Sequence, residues 1–319
     1  MTKYIARRFG EMILTLFLIA TSTFFLLGVI PGNALTGKIE KFPEKIQEQM
    51  LAKYGYDKPL LERYVITMKN MIFKGDFGQS VNRPGESLNT ILRDKMPIST
   101  RLGVQQVAVG VTLGIILGII AAMKRATAID YIILVVAMIL ISMPSLVLSL
   151  LLQKYGAANS NFFNLPIIGW PSGKDLWFGG WEYTILPTIA GACGYIASYA
   201  RLMKTSMLDV INQEYVLTAR SKGLSEFKVV TRHILRNSFI PIITVLPMTI
   251  AGVISGSLFI ERVFAIPGIG KYFVEAVQGR DIPMVMGQTI FFSAIYLVVI
   301  FVTDILYTVV DPRIKIVKG

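Results

Sequence analysis

The sequence predicts an all-α polytopic membrane protein with six transmembrane helices, and three observations predict it. Of its 319 residues 53% are hydrophobic and only 16% charged, and the mean hydropathy is +0.58, far from the values of a water-soluble domain. Six runs carry no charged side chain: residues 12–30, 102–123, 131–153, 183–200, 237–260 and 282–303. Each approaches the roughly 20 residues that a helix needs to cross a ~30 Å hydrocarbon layer. The connections between them carry Lys and Arg unevenly, which is the pattern of a chain sorted across a bilayer.

The first run is long for a secretory h-region, and no small-x-small cleavage site followed by a soluble domain comes after it, so it reads as a retained first span. Residues 31–96 form an extracytoplasmic loop. Pro31, Gly32 and Asn33 break the helix, and residues 42–53 then place Ile46, Met50 and Leu51 at helical spacing among mixed charges. A second amphipathic run covers residues 61–73. Both read as short surface helices, packed on the bundle or touching a docking partner, and the turn-rich GDFGQS of residues 75–80 follows them. In the second run Gly110, Gly114 and Gly118 share one helix face, which predicts close helix approach. Pro144 in the third run, Pro187 in the fourth, and Pro241 and Pro247 in the fifth each remove a backbone donor and permit a kink. Such kinks suit a gate and are also common in any membrane bundle. A further uncharged run, residues 155–173, is rich in Gly, Pro, Asn and Ser, which leave backbone groups unpaired in lipid. It reads as an external loop with Trp170 at the interface, followed by Trp177 and Trp181. The organisation expected is residues 1–30 as N-terminal segment and first span, 31–96 as outer loop, and 97–319 as core domain with a cytoplasmic loop at 205–238.

With both termini inside, the internal segments hold fifteen Lys and Arg and the short external connections, residues 154–182 and 261–281, hold five. Positively charged residues resist translocation, so the chain is expected to keep both termini in the cytoplasm. The net charge of +12 is then a topology and anionic-lipid signal; a nucleic-acid partner would need a soluble basic face that is missing here. Cys193 is the only cysteine and His233 the only histidine. Neither an intrachain disulfide nor a multi-histidine metal centre can form within one chain.

Residues 214–241 (EYVLTARSKGLSEFKVVTRHILRNSFIP) are charged and helix-forming, yet lie between two apolar runs. Tyr215, Val216, Ala219, Leu224, Phe227, Val230, Ile234 and Leu235 recur near helical spacing, and Gly223 interrupts them. The pattern is helix, glycine turn, helix: a rigid knob able to carry force from an outside motor.

Specific motifs accompany this knob: TARSKGL at 218–224, RHILRN at 232–237 followed by Pro241, GDFGQS at 75–80, ERVFAIPGIG at 261–270 and DILYTVVDPRI at 304–314. In kind and order they resemble the peptide-importer subgroup of ATP-binding-cassette permeases, over nearly the whole chain. Leu217, Thr218 and Ala219 stand where the wider importer family has Glu-Ala-Ala, and the nearest acid, Glu214, lies three residues too early. The resemblance implies a type I ABC importer permease fold and the B-type permease of an oligopeptide or dipeptide importer in a bacterial or archaeal cytoplasmic membrane. It further implies a second homologous permease as heterodimer partner, two cytoplasmic ATP-binding subunits and an extracytoplasmic peptide-binding protein. The loop would dock in a groove of an ATPase through Glu214, Thr218, Ala219, Arg220, Lys222, Gly223, Leu224, Arg232 and His233.

The chain itself lacks an engine. A phosphate loop needs Gly, four residues, then Gly-Lys-Ser/Thr, and the nearest match, Gly270-Lys271, is followed by Tyr272 with Ala265 in place of the leading glycine. No cofactor is therefore expected here; ATP and magnesium would sit on the partner subunits. Motifs for other enzyme chemistry are missing too. Candidate pathway or gate residues are Pro144, Pro247, Ser255, Gly256, Ser257 and Asp304. For Asp304, near the inner end of the last run, a helix-end hydrogen bond or ion pair and a gating or proton role both stand. The rival class is an ion- or proton-coupled carrier acting alone. Such a carrier needs intramembrane ionisable groups, and the centres of these runs are almost uncharged.

Overall fold

In a computed structural model, residues 2–29, 35, 42–158, 165–171, 179–254 and 256–310 are described. The expectations placed on Pro31, Gly32, Asn33, Trp177 and Ser255 lie outside them. The described chain is helical, with one isolated bridge between Gln79 and Ser87. The helices are α1 Thr2–Val29, α2 Glu44–Lys53, α3 Leu60–Lys74, α4 Leu88–Met123, α5 Ala128–Ser142, α6 Ser145–Leu151 and α7 Trp181–Ile211. After them come α8 Glu214–Ser221, α9 Glu226–Lys228, α10 Leu235–Ser238, α11 Ile240–Ile254, α12 Leu258–Val263, α13 Ile269–Gln278 and α14 Ile282–Val310. Two π-helical stretches, Leu152–Ala158 and Val229–Ile234, extend α6 and α9.

Four described helical segments are long and apolar enough to cross a membrane: Lys3–Val29, Leu88–Met123, Ile240–Val263 and Ile282–Ile305. The third expected span is bent by 102° between Ala128–Ser142 and Ser145–Gly156. Pro144 stands at that break and cannot donate to the preceding turn. The fourth expected span lies in α7, whose 31 residues reach about 46 Å, although it is not among the segments apolar enough to count. Thirteen of its residues are buried against protein, among them Thr184, Thr188 and Ser206, so its sequence answers to packing more than to lipid. α4 starts well before the predicted run because Arg93, Asp94, Lys95 and Arg101 hide its first turns from a charge-free window.

The chain packs as two units, one of residues 1–97 with 268–319 and one of residues 98–267. In the first, α1 lies along α14, with Ala20 and Phe24 buried against Met286 and Ile290. Tyr64 of α3 tops this seam, its hydroxyl 2.8 Å from Thr21, while Phe17, Leu18 and Leu26 remain exposed on α1, as a lipid-facing helix requires. Met50 and Leu51 of α2 pack toward Leu35 and Val81 as expected, but Ile46 is 41% exposed. A buried carboxylate closes the unit: Asp281 accepts from the Ser80 hydroxyl at 2.6 Å, the Val81 N–H at 3.2 Å and the Asn82 N–H at 3.0 Å. Arg83 adds an ion pair to Glu275 at 2.5 Å.

In the second unit α4 and α7 run in close contact through the predicted glycine face. A Cβ at Gly114 would lie 2.9 Å from the Ile196 carbonyl, and one at Gly118 2.6 Å from the Ala200 carbonyl. Only hydrogen fits there, so the glycines set the approach distance. At the base of α7, Lys204 reaches the buried Asp130 at the start of α5 at 2.6 Å. The Ala126 N–H donates to the same carboxylate at 3.1 Å, which ties the turn between α4 and α5 to α7.

Candidate functional site

The 214–238 segment folds as two short helices around a glycine turn. Gly223 has φ +75°, and its N–H donates to the Arg220 carbonyl at 2.9 Å while the Leu224 N–H reaches the Ala219 carbonyl at 3.4 Å. This pair of bonds is a Schellman ending, which needs a left-handed residue after the helix and so selects glycine. Arg220 clasps Glu226 across the turn with two bonds, 2.9 and 3.3 Å. Tyr215 and Asn237 join the two ends of the knob at 2.6 Å. The inner face is fixed: Val216, Ala219, Val229 and Ile234 are buried together with Met203 and Met207 of α7 and Ile242 of α11. The knob is thereby packed against α7 and α11 through close-fitting side chains.

The expected docking residues divide by face. Ala219 points inward and anchors the knob, Arg220 and His233 are half-buried, and Glu214, Thr218, Lys222, Gly223, Leu224 and Arg232 are exposed. Three exposed apolar residues of the segment stand outside the expected docking set: Phe227, 77% exposed, Leu217, 51%, and Tyr215, 40%. Leu224, 37% exposed, is a further apolar side chain open among the charges of the turn. Phe227 was assigned to the apolar period, but the π-helical stretch advances the phase, so Val229 turns inward.

A cavity of about 480 Å³ lies in the second unit. Gly256 and Ser257 line it, as do Met143 and Ser145 on either side of Pro144; Pro247 does not. Pro247 lies inside α11. Ser257 caps α12: its N–H donates to Glu261 at 3.1 Å and its hydroxyl to Gln106 at 2.8 Å. Asp304 belongs to the first unit and lies 3.4 Å from Arg8 of α1. The contact is the ion pair that one of its two expected readings calls for. Among the described residues no cluster of His, Cys, Asp and Glu could hold a metal ion.

Residues 114–316, which contain the knob and most of the cavity lining, though not Gln106, match the family model for binding-protein-dependent transport system inner membrane components. The chain belongs to this family. Its likeness to single members extends end to end. It is 40% identical over 318 residues to the dipeptide transport system permease protein DppB of Bacillus subtilis, covering all of this chain and 99% of that one. To the DppB of Lactococcus lactis it is 39% identical, covering 99% and 100%. To the oligopeptide transport system permease protein OppB of Escherichia coli it is 34% identical over the same shares. Among solved structures, a chain from an amino acid ABC transporter crystallised with histidines aligns with a TM-score of 0.50 at 16% identity, over 71% of this chain and 95% of that one. That likeness supports the same fold. The chain is thus a multi-pass membrane component of a transport system, a family whose members are transporter parts working with other components.

Proposed function

We propose that this chain is the permease subunit of an ATP-driven importer of dipeptides or oligopeptides. The observation that carries the reading is the end-to-end match to peptide permeases; the knob with its exposed apolar side chains agrees with it. The partners are a second, homologous permease, two ATPases that receive the knob, and an extracytoplasmic binding protein that delivers peptide. ATP-driven closure of the ATPases moves α7 and α11 through the packed inner face of the knob, and the pathway alternates between outward and inward access. The carrier that acts alone is not favoured, since the relatives matched end to end are permease components of peptide transport systems.

Purification in mild detergent tests the assembly. Two ATPases and a second permease are expected to accompany this chain; a chain that purifies alone at full yield and retains transport contradicts the reading. The cytoplasmic position proposed for both termini is tested separately. In a Cys193-free background, cysteines at the exposed positions Ser225 and Glu48 should react with an impermeant thiol reagent from the inner and outer side respectively. Labelling of both from one side contradicts the topology.

A further inference from the structure

We propose that the Gln106 carboxamide holds the place of a substrate peptide bond in the cavity of the second unit, and that an arriving peptide displaces it. The inference rests on the peptide-import reading above and names the chemical group of the substrate that the membrane pathway recognises.

Gln106 lies within α4 and is 3% exposed. Its Nε2 donates to the Pro187 carbonyl at 3.1 Å, and its Oε1 accepts from the Ser257 hydroxyl at 2.8 Å. The amide therefore bridges two separate elements, α7 and the bend that starts α12. It lies directly over Gly191, where any Cβ would collide with it. Three residues on, Gly194 has open space where a Cβ would stand, and Gly191, Gly194 and the chain's only cysteine, Cys193, all line the same cavity.

A carboxamide and a peptide group offer the same pair of functions, an N–H donor and a carbonyl acceptor. The acceptor at Pro187 and the donor at Ser257 therefore fit a peptide bond as they fit Gln106. The Pro187 carbonyl, inside α7, has a second lone pair beyond its helix bond, and the Ser257 hydroxyl is costly to leave unpaired in an apolar span, so Gln106 occupies both sites between transport events. Exchange of one amide for another conserves the number of hydrogen bonds. Binding through such an exchange stays weak enough for release, and it ignores side chains, as a carrier of varied peptides needs.

Cys193 supplies the reporter. The assembled complex in lipid nanodiscs is treated with a small water-soluble thiol reagent at rising concentrations of trialanine, and alkylation is read by mass spectrometry of the Cys193 peptide. A depsipeptide analogue with esters in place of the amides lacks the N–H donor. Trialanine is expected to slow labelling, and the ester to need roughly threefold or more higher concentration for half-protection. Gln106→Ala removes the competitor and should lower the half-protecting concentration of trialanine about threefold or more, whereas Ser257→Ala removes the donor and should raise it by a similar factor. Gln106→Asn, which retracts the amide by one methylene, should shift protection in the same direction as the alanine variant and serves where that variant does not assemble. If Gln106 only supports the fold, the Gln106 and Ser257 variants shift together or not at all, and either result overturns the proposal. It is equally overturned if trialanine leaves Cys193 labelling unchanged in a complex that imports trialanine. A wild-type complex that imports no peptide overturns the functional reading instead.

Discussion

Gly223→Asp is expected to abolish peptide uptake while the permease still inserts and folds. The residue sits at φ +75° with no heavy atom within 4 Å of an added Cβ. The local cost is therefore the left-handed backbone alone, about 1 kcal/mol. The larger penalty falls at the partner surface. A carboxylate next to the exposed Leu224 would be buried unpaired if, as proposed, an ATPase closes over this turn, at a cost on the order of several kcal/mol. That corresponds to a loss of affinity of roughly 100-fold or more. Uptake by proteoliposomes and retention of the ATPase subunits should fall together, and Gly223→Ala, which adds only backbone strain, should retain most of both. Near-normal uptake with the aspartate would show that the segment is a connector and no lever.

Asp281→Ala should be strongly destabilising. It removes one carboxylate that three donors share, from Ser80, Val81 and Asn82. An orphaned buried donor costs about 1–3 kcal/mol, and two of the three, on Ser80 and Val81, are buried, so the sum is a large share of the ~5–15 kcal/mol by which a protein is ordinarily stable. Thermal unfolding in detergent is expected to move down by roughly 10 °C or more. Asp281→Asn keeps an acceptor oxygen and should lose distinctly less. An alanine variant as stable as the wild type would mean that the 80–82 turn finds its partners elsewhere.

These two sites differ in how far the sequence discloses them. The knob is legible because Gly223, the charges around it and the two flanking apolar runs lie within one continuous stretch, and local patterns are what periodicity reads. Asp281 is illegible for the opposite reason: Ser80 and Asp281 stand 201 positions apart, and only tertiary packing joins them. The spans were visible as charge-free runs, but the same criterion missed the first turns of α4, which contain Arg93 and Arg101. Pro144 marked a weak point without telling its size, since a missing donor permits a bend and the neighbouring packing sets the 102°. Gln106 escaped notice because an uncharged amide does not interrupt an apolar run, although an amide within a span must find partners. In the knob, the π-helical turn at Val229–Ile234 breaks the 3.6-residue phase. Counting at that period therefore places Phe227 inside when it stands out.

The measurement that bears most directly on the account is peptide uptake into proteoliposomes, with the chain reconstituted either as the full complex or without the ATPase subunits. The account predicts uptake only by the full complex with ATP present, unchanged when an ionophore collapses the proton and sodium gradients. Uptake by the chain without ATPase subunits, driven by an imposed ion gradient and stopped by the ionophore, would contradict it.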